Sequence, residues 1–249
     1  MNLMLFDKSE RRGNTLVVTG RRAEHILNIL GLQPGDTLRV GEINGLVGSA
    51  VLEQASENSV TLGIELRDEP PPVPSVELIL ALPRPIMLQR ILKQAAVLGV
   101  SRIHLIRSRR VEKSFFHSPV LQPEKIKKLL VEGLEQAMDT RLPEVQVYHR
   151  FKPFVEDIVP TLEGTGLLAH PGTGASLIDI VVHGIRDKKI TPEKNKKILA
   201  VGPEGGWSEY ECQCFLDRGF RMFTMGPRIL HVDTAVVALL AQLTLLQDG

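Results

Sequence analysis

The stretch Ile198–Glu211, ILAVGPEGGWSEYE, leads from an apolar run into a turn with three glycines and on to a helix start. A second passage of this kind is Phe223–Gln242, FTMGPRILHVDTAVVALLAQ, where Gly226 precedes a long apolar segment. Glycine adopts backbone conformations closed to other residues and lets a ligand approach the main chain. Ser208 and Glu211 have the spacing of a reciprocal capping box, which predicts a helix directly after the first turn. Two such turns together predict a ligand cradle.

The composition is that of an ordinary globular protein. The chain has 249 residues, of which 43% are hydrophobic and 24% charged, and its formal net charge is +1. No apolar run approaches the roughly 20 residues that cross a bilayer, and the N-terminal MNLMLFDKSERR lacks the pattern of a secretory signal. A cytoplasmic location without a membrane partner is therefore expected. Cys212 and Cys214 are the only cysteines and the seven histidines are scattered, so no disulfide and no metal site is expected.

A stiff, proline-rich stretch, EPPPVP at Glu69–Pro74, predicts a boundary between a domain of residues 1–70 and a domain of residues 75–249. Before it, short runs rich in β-branched residues predict strands, and one helical piece, Arg21–Leu30, ends at Gly31. The predicted strands are Thr15–Thr19, Thr37–Val40, Leu46–Glu53 and Ser59–Leu66. A small β-barrel that carries one helix follows from this pattern.

Strands and helices alternate after the boundary, which predicts a parallel α/β sheet whose ligands bind at the carboxyl ends of the strands. The predicted strands are Val76–Ala81, Arg102–Ile106, Val145–Tyr148, Gly166–Ala169, Lys197–Val201 and Arg221–Met225. The predicted helices are Met87–Leu98, Pro123–Met138, Ser176–Ile185, Ser208–Arg218 and Asp233–Leu246. Both glycine turns follow predicted strands, so both are expected at the ligand-binding edge.

Several familiar nucleotide sites find no support in the sequence. The chain has no phosphate-loop motif, and PGTGASL at Pro171–Leu177 matches only half of the dinucleotide fingerprint. A pocket made of backbone amides and carbonyls suits an adenine ring and a zwitterionic amino-acid tail better than a triphosphate. S-adenosylmethionine has both parts. A purely structural role of the two turns is the alternative.

The segments VGPEGGWSEYE (Val201–Glu211) and MGPRILHVDTA (Met225–Ala235) resemble the paired C-terminal motifs of the ribosomal RNA small subunit methyltransferase E family, a branch of the SPOUT methyltransferases. Gly20–Gly35, Ala81–Ser101 and Glu132–Glu144 resemble further segments of that family in the same order. The resemblance implies a PUA-like RNA-binding barrel followed by a SPOUT-type α/β domain with a C-terminal trefoil knot. It also implies a homodimer that uses S-adenosylmethionine to methylate N3 of a uridine in the 16S ribosomal RNA of the small subunit.

The same resemblance implies which residues hold the cofactor. They are Leu168, Ala169, His170, Gly202, Pro203, Glu204, Gly205, Gly206, Met225, Gly226, Ile229, Leu230 and Thr234. Arg228 is the main catalytic candidate, because a fixed positive charge stabilises the negative charge that spreads over the uracil carbonyls once N3 is deprotonated. The alternative for Arg228 is a structural role, in which it binds nearby backbone carbonyls and braces the knot.

Two further catalytic candidates stand where the family usually has Arg and Glu. His231 can accept a proton or act as a partial cation, and Asp233 can act as a general base or as the N-cap of the last helix. The segment Ala137–Arg141 also departs from the family pattern. Substrate choice is therefore open between uridine N3 in 16S rRNA and another position in rRNA or tRNA. A third hypothesis is a non-catalytic RNA-binding assembly factor that keeps the fold.

Clusters of basic residues predict RNA contacts. Those assigned to RNA are Arg11, Arg12, Arg21, Arg22, Arg84, Arg109 and Arg110. Aromatic residues make up only 4% of the chain, so recognition is expected to rest on phosphate contacts and RNA shape. The alternative for each cluster is an ordinary solvated face.

Overall fold

The structure, a computed structural model, describes residues 2–172, 175–180 and 196–246. The chain divides into two compact units, Met1–Pro72 with Val131–Leu142 and Val73–Leu130 with Pro143–Gly249. The sequence-based division assigns residues 131–142 to the second domain, whereas in the structure they pack with the first unit. The buried Thr140 anchors them there: its Oγ1 donates to the carbonyl of Gly45 at 2.6 Å, and its own carbonyl accepts from the N–H of Asn44 at 2.7 Å.

The first unit holds a six-stranded sheet in the order β1-β4-β5-β6-β3-β2. Its strands are β1 (Met4–Phe6), β2 (Arg11–Arg12), β3 (Thr15–Thr19), β4 (Thr37–Glu42), β5 (Val47–Ala55) and β6 (Ser59–Asp68). β1 and β4 run parallel, and the other neighbours are antiparallel. The four predicted strands are confirmed with small shifts at their ends. β1 and β2 are missed by the sequence analysis because two or three residues are too few to show an alternating pattern.

Alternation of apolar and polar residues builds the core of the first unit. Along β6, Val60, Leu62 and Ile64 are buried while the residues between them are more exposed. The single helix, α1 (Arg21–Glu24), continues as a π-helical turn over His25–Ile29. Its buried Ala23 and Ile26 belong to the same core as these strand residues. As predicted, the helical segment ends at a glycine, Gly31, whose φ is +67°.

The second unit holds six parallel strands in the order β12-β10-β11-β7-β8-β9. They are β7 (Val76–Ala81), β8 (Val100–Ile106), β9 (Glu144–Tyr148), β10 (Thr165–Ala169), β11 (Lys197–Val201) and β12 (Arg221–Phe223). Every residue of β7 and β11 is buried, as expected for parallel strands covered on both faces. The predicted parallel sheet is confirmed, and all six carboxyl ends lie at one edge.

The longer helices agree with the predicted ones to within a few residues. They are α2 (Pro85–Val97), α3 (Pro123–Ala137), α5 (Glu209–Leu216) and α6 (Val232–Leu245), and the structure adds a short helix, α4 (Phe151–Pro153). Residues 177–180 are also helical, and the rest of the predicted helix Ser176–Ile185 lies outside the described residues. The short α4 and the helical turns after it are missed because Pro153 and Pro160 hide the helical pattern. Across the described ranges, no helix has the length and apolar character needed to cross a membrane.

A buried charge network lies in the second sheet. Glu77 of β7 and His104 of β8 are each 1% exposed, and His104 Nε2 lies 3.2 Å from Glu77 Oε2. Lys196 forms an ion pair with Glu77, and Arg102 Nη1 lies 3.5 Å from the same carboxylate. Burial raises the pKa of Glu77, but the hydrogen bonds from His104 and Lys196 and the charges of Lys196 and Arg102 lower it to about 2. Glu77 is therefore ionised and fully paired in the folded protein.

Candidate functional site

A cavity opens at the carboxyl ends of β10, β11 and β12. It measures about 730 Å³ when space open to solvent is counted. The two glycine turns identified in the sequence form two of its walls, and residues 169–171 form a third. The predicted residues that line it are Ala169, His170, Gly202, Pro203, Glu204, Gly206, Met225, Gly226, Arg228, Ile229 and Leu230.

Residues that the sequence analysis does not assign to the cofactor complete the lining. These are Pro171, Val201, Trp207, Phe223, Val232, Ala235 and Leu239, together with the polar Thr224. Val201 and Phe223 are the last residues of β11 and β12. Val232, Ala235 and Leu239 lie in the first turns of α6. That placement next to a glycine turn is the only signal in the sequence that could have identified them. They give the cavity apolar surface suited to a flat ring.

Three predicted cofactor residues do not line the cavity. The Leu168 side chain is 0% exposed within β10 and packs in the sheet. Gly205 faces Arg110, because a Cβ built on it would lie 3.1 Å from Cδ of Arg110. Thr234 is exposed on the first turn of α6. These three residues, although predicted to hold the cofactor, are therefore not part of the cavity wall.

Arg228 lines the cavity and its side chain is exposed. Within the described part of the chain its guanidinium has no hydrogen-bond or ion-pair partner, so the bracing of backbone carbonyls considered as the alternative is not observed there. The charge therefore points to the cavity and to solvent, where a substrate can meet it.

His231 and Asp233 do not line the cavity, and Asp233 is not the N-cap of the last helix. α6 begins at Val232, and the exposed His231 is its N-cap, with φ −62° and ψ 149°. Asp233 Oδ2 lies 3.6 Å from Arg90 Nη1, and Asp233 Oδ1 accepts from the N–H of Thr234 at 3.0 Å. The Asp233 carboxylate is thus already engaged within the protein.

The predicted capping box after the first glycine turn is confirmed. Ser208 N and Ser208 Oγ donate to Glu211 Oε2 at 2.9 and 2.8 Å, and Glu211 N donates back to Ser208 Oγ at 3.4 Å. Glu211 is only 2% exposed, and its Oε1 accepts from the backbone N–H of Arg109 at 2.7 Å. One buried carboxylate therefore joins the start of α5 to the loop that follows β8.

The loop after β8 also holds the glycine turn itself. Arg110 Nη1 donates to the carbonyl of Gly205 and, at 3.4 Å, to the carbonyl of Trp207. Within the turn, Gly206 N donates to the carbonyl of Pro203 at 2.7 Å, and the φ of +73° at Gly206 favours glycine. Arg110, which is predicted to contact RNA, donates to two carbonyls of this segment.

Two buried polar atoms in the cavity wall have no hydrogen-bond partner among the described residues. They are Nδ1 of His170 and Nε1 of Trp207. An unsatisfied buried polar group costs about 1–3 kcal/mol, so such atoms are usually paired, and a ligand with polar groups can pair with them. Together with the apolar lining, they fit a molecule that carries both a flat ring and polar groups.

The other arginines assigned to RNA differ in how far they are engaged. Arg84 Nε lies 4.0 Å from Glu204 Oε1 in an exposed contact after β7, and Arg109 is exposed after β8. In the first unit, Arg11 Nε lies 2.9 Å from Glu42 Oε2, and Arg22 forms an ion pair with Glu10. Arg12 and Arg21 are exposed.

Comparisons with known proteins identify the family of the chain. Residues 69–244 match the family model of the RNA methyltransferase domain. The ribosomal RNA small subunit methyltransferase E of Treponema pallidum is 33% identical over 242 residues, covering 96% of this chain and 88% of that protein. The methyltransferase E 1 of Borreliella burgdorferi is 24% identical, covering 96% and 95% of the two chains.

A solved structure shares the fold over almost its full length. The methyltransferase E of Neisseria gonorrhoeae, solved bound to S-adenosyl methionine, matches with a TM-score of 0.76 at 22% identity and covers 98% of each chain. This likeness supports a SPOUT-type α/β fold for the present chain.

Proposed function

Since the chain belongs to the ribosomal RNA small subunit methyltransferase E family, we propose that it transfers a methyl group from S-adenosylmethionine to N3 of a uridine in 16S rRNA. The observation that carries this proposal is the cavity at the carboxyl ends of β10, β11 and β12. Its walls come from the two glycine turns and residues 169–171, and two buried polar atoms in these walls have no hydrogen-bond partner among the described residues. Shape and chemistry fit a ligand with a flat ring and a polar tail.

In this proposal the cavity residues hold the cofactor in three ways. The backbone of the turns beside Gly202 and Gly226 offers close approach. Phe223 and Leu239 contribute apolar surface for the adenine ring, and the His170 and Trp207 side chains offer polar atoms. When bound, S-adenosylmethionine supplies an electrophilic methyl group on a positively charged sulfur.

The chemistry at uracil requires that N3 loses its proton, that an N3–C bond forms and that the C–S bond breaks, with its electron pair staying on sulfur. Arg228 stabilises the negative charge that spreads over the two uracil carbonyls when the proton leaves. Arginine suits this role because it stays charged at all working pH values. Its lack of a partner within the described chain leaves the guanidinium available for the base.

His231 is proposed as the proton acceptor. It is exposed beside the cavity-lining Leu230 and Val232, and histidine is the side-chain type that exchanges protons near neutral pH. Asp233 is proposed as a positioning residue, because its carboxylate lies 3.6 Å from Arg90 of α2. That ion pair connects the first turn of α6 to α2 and fixes the segment that carries Arg228 and His231.

Further parts of the proposal concern the whole protein. The sheet of the first unit is proposed to be a PUA-like RNA-binding barrel, with the exposed Arg12 and Arg21 on phosphates. The second unit is proposed to be knotted near its C-terminus and to form a homodimer. The small ribosomal subunit is the proposed substrate particle, in the cytoplasm.

The deciding experiment transfers labelled methyl groups to unmodified 30S particles and maps the modified nucleoside by mass spectrometry. We expect 3-methyluridine at one position of 16S rRNA. Label at another rRNA position or in tRNA would favour a different target on the same fold. Absence of both transfer and cofactor binding at millimolar S-adenosylmethionine, measured by calorimetry, would favour an assembly factor without activity.

A further inference from the structure

A second groove lies at the same edge of the parallel sheet, beyond the carboxyl ends of β8 and β9. Its lining includes Arg107 and Arg109 after β8, Arg150, Phe151 and Lys152 after β9, and Tyr210 of α5. We name it the β8–β9 groove. It measures about 820 Å³ when space open to solvent is counted. Nothing in the proposed methyl transfer uses Arg150, Lys152 or Tyr210.

The charge of this groove is strongly positive. Four cationic side chains line it, against the single carboxylate of Glu211. That carboxylate is buried and already accepts hydrogen bonds from Ser208 and Arg109, so it offers little repulsion to an anion. Lys152 Nζ lies 3.7 Å from Glu156 Oε1, but this exposed pair is weak and can open. The groove therefore complements a phosphate-bearing ligand.

An aromatic ring stands beside these charges. Tyr210 is 57% exposed, although large aromatic side chains usually bury most of their surface. Its ring centroid lies 6.4 Å from that of Phe151, which in turn lies 5.7 Å from the ring of the buried Phe215. The Tyr210 ring thus neighbours a ring that packs on the core, while more than half of the residue's surface remains exposed. Cationic groups next to an open aromatic ring are the pattern that single-stranded nucleic acids recognise.

A third observation points to a ligand with hydrogen-bonding groups. Ser108 lines the groove, is only 2% exposed, and its Oγ has no hydrogen-bond partner in the ranges that the structure describes. Buried hydroxyls are normally satisfied. A polar ligand atom in the groove would supply the missing partner.

The position of the groove relates it to the cofactor cavity. β9 lies three strands from β11 in the sheet order, which corresponds to about 14 Å at the usual strand spacing. The two sites also share a wall, because Trp207 lines the cavity while Ser208 lines the groove. This separation is short enough for an RNA strand that presents one base at the cavity to reach the groove with a nucleotide a few positions away.

We propose that the β8–β9 groove binds an unpaired nucleotide that flanks the methylated one. Its base stacks on Tyr210, and its phosphates contact Arg109 and Arg150. This inference rests on the proposed function, since it assigns part of the RNA site of the same enzyme. It also changes the expectation that recognition depends on phosphates and shape alone, because the fold brings an exposed aromatic ring to the basic edge.

The test measures methyl transfer to 16S rRNA in 30S particles by the full-length protein, with KM for the particle and kcat determined separately. Tyr210→Ala is compared with Tyr210→Phe, which keeps the aromatic ring. Arg150→Gln is compared with Lys128→Gln, because Lys128 is an exposed residue of α3 that lies outside the groove. We expect Tyr210→Ala to raise KM about 5- to 100-fold, as for loss of one stacked base, and Tyr210→Phe to stay near wild type. Arg150→Gln should raise KM and make RNA affinity less dependent on salt, whereas Lys128→Gln should change neither.

Calorimetry with S-adenosylmethionine separates this inference from the function on which it rests. If the wild-type protein neither binds S-adenosylmethionine nor methylates RNA, the proposed function itself fails. If the wild type is active but Tyr210→Ala and Arg150→Gln both keep a KM within twofold of it, the groove does not bind RNA. Equal loss in Tyr210→Phe and Tyr210→Ala would also overturn the stacking role. If Tyr210→Ala folds poorly, the KM values of Arg150→Gln and Lys152→Gln test the proposal. A KM within twofold of wild type in both variants would then overturn it.

Discussion

The carboxylate of Glu211 accepts a hydrogen bond from the backbone N–H of Arg109 at 2.7 Å, across 102 positions of sequence. The same carboxylate caps α5 through Ser208. Because Glu211 is buried, both contacts are shielded from water and both depend on one side chain. Glu211 therefore couples the loop with the basic residues to the glycine turn that lines the proposed cofactor cavity.

Replacing Glu211 should damage both stability and cofactor binding. Glu211→Ala leaves the donors of Arg109 and Ser208 without an acceptor, and we expect the free energy of unfolding to fall by about 2–4 kcal/mol. The dissociation constant for S-adenosylmethionine should rise, since the turn loses its anchor. Urea unfolding and calorimetry measure these two quantities. Glu209→Ala, at an exposed position of the same helical turn, is the control and should cost less than about 1 kcal/mol.

Removal of the Arg228 charge should affect the chemical step rather than cofactor binding. For Arg228→Ala we expect kcat to fall about 100- to 1,000-fold, as for loss of one group that stabilises a developing negative charge. Single-turnover methyl transfer gives the rate, and Arg228→Lys should recover part of it. Arg221→Ala, an exposed arginine of β12, serves as the matched control. Retention of wild-type kcat in Arg228→Ala would remove the assignment.

Substitutions of His231 and Asp233 should lower kcat to different extents. His231→Ala is expected to lower kcat at least about 100-fold, the usual contribution of a proton acceptor. Asp233→Asn should lower kcat less than about threefold, because the Asp233 carboxylate binds Arg90 and the amide keeps its shape. Rates measured from pH 5 to pH 9 check both variants. A larger loss in Asp233→Asn than in His231→Ala would reverse the two roles.

The Glu77 network predicts a specific acid sensitivity. The pKa of Glu77 is lowered from 4.5 to about 2 in the folded protein, so its contribution to stability is complete above pH 4.5 and is lost as the pH falls towards 2. We expect wild type to lose about 3 kcal/mol more unfolding free energy than Glu77→Gln between pH 6 and pH 2. Urea titrations across this range measure the difference.

The control for this prediction is Glu65→Gln, because Glu65 pairs with Arg67 on an exposed surface. Its unfolding free energy should follow wild type across the whole pH range. Parallel curves for wild type and Glu77→Gln would show that Glu77 does not carry the acid sensitivity.

Local signals explain what the sequence predicts well. Ser208 and Glu211 lie within one helical turn, so their spacing reveals the capping box without any tertiary information. The buried runs of β7 and β11 indicate a parallel sheet through their composition alone. The glycine turns at these strand ends identify most of the cavity lining.

Contacts between distant segments explain what the sequence does not predict. The Arg110 guanidinium reaches the carbonyl of Gly205 only because β8 and β11 both lie beside β7 in the sheet. Residues 131–142 join the first unit through hydrogen bonds with Asn44 and Gly45, about 95 positions away. The sequence places Asp233 where a helix cap is expected, but the helix begins one residue earlier. The carboxylate of Asp233 forms an ion pair with Arg90 instead.

The parallel arrangement separates two kinds of residue along the strands. Glu77, Arg102 and Lys196 lie towards the amino-terminal side of the sheet, whereas the loops that bear Arg109, Arg150 and Arg228 follow the carboxyl ends. Changes in those loops leave the paired charges untouched. Substitutions in these loops can thus alter RNA recognition while the scaffold keeps its buried charges, which makes this fold a tolerant starting point for new modification enzymes.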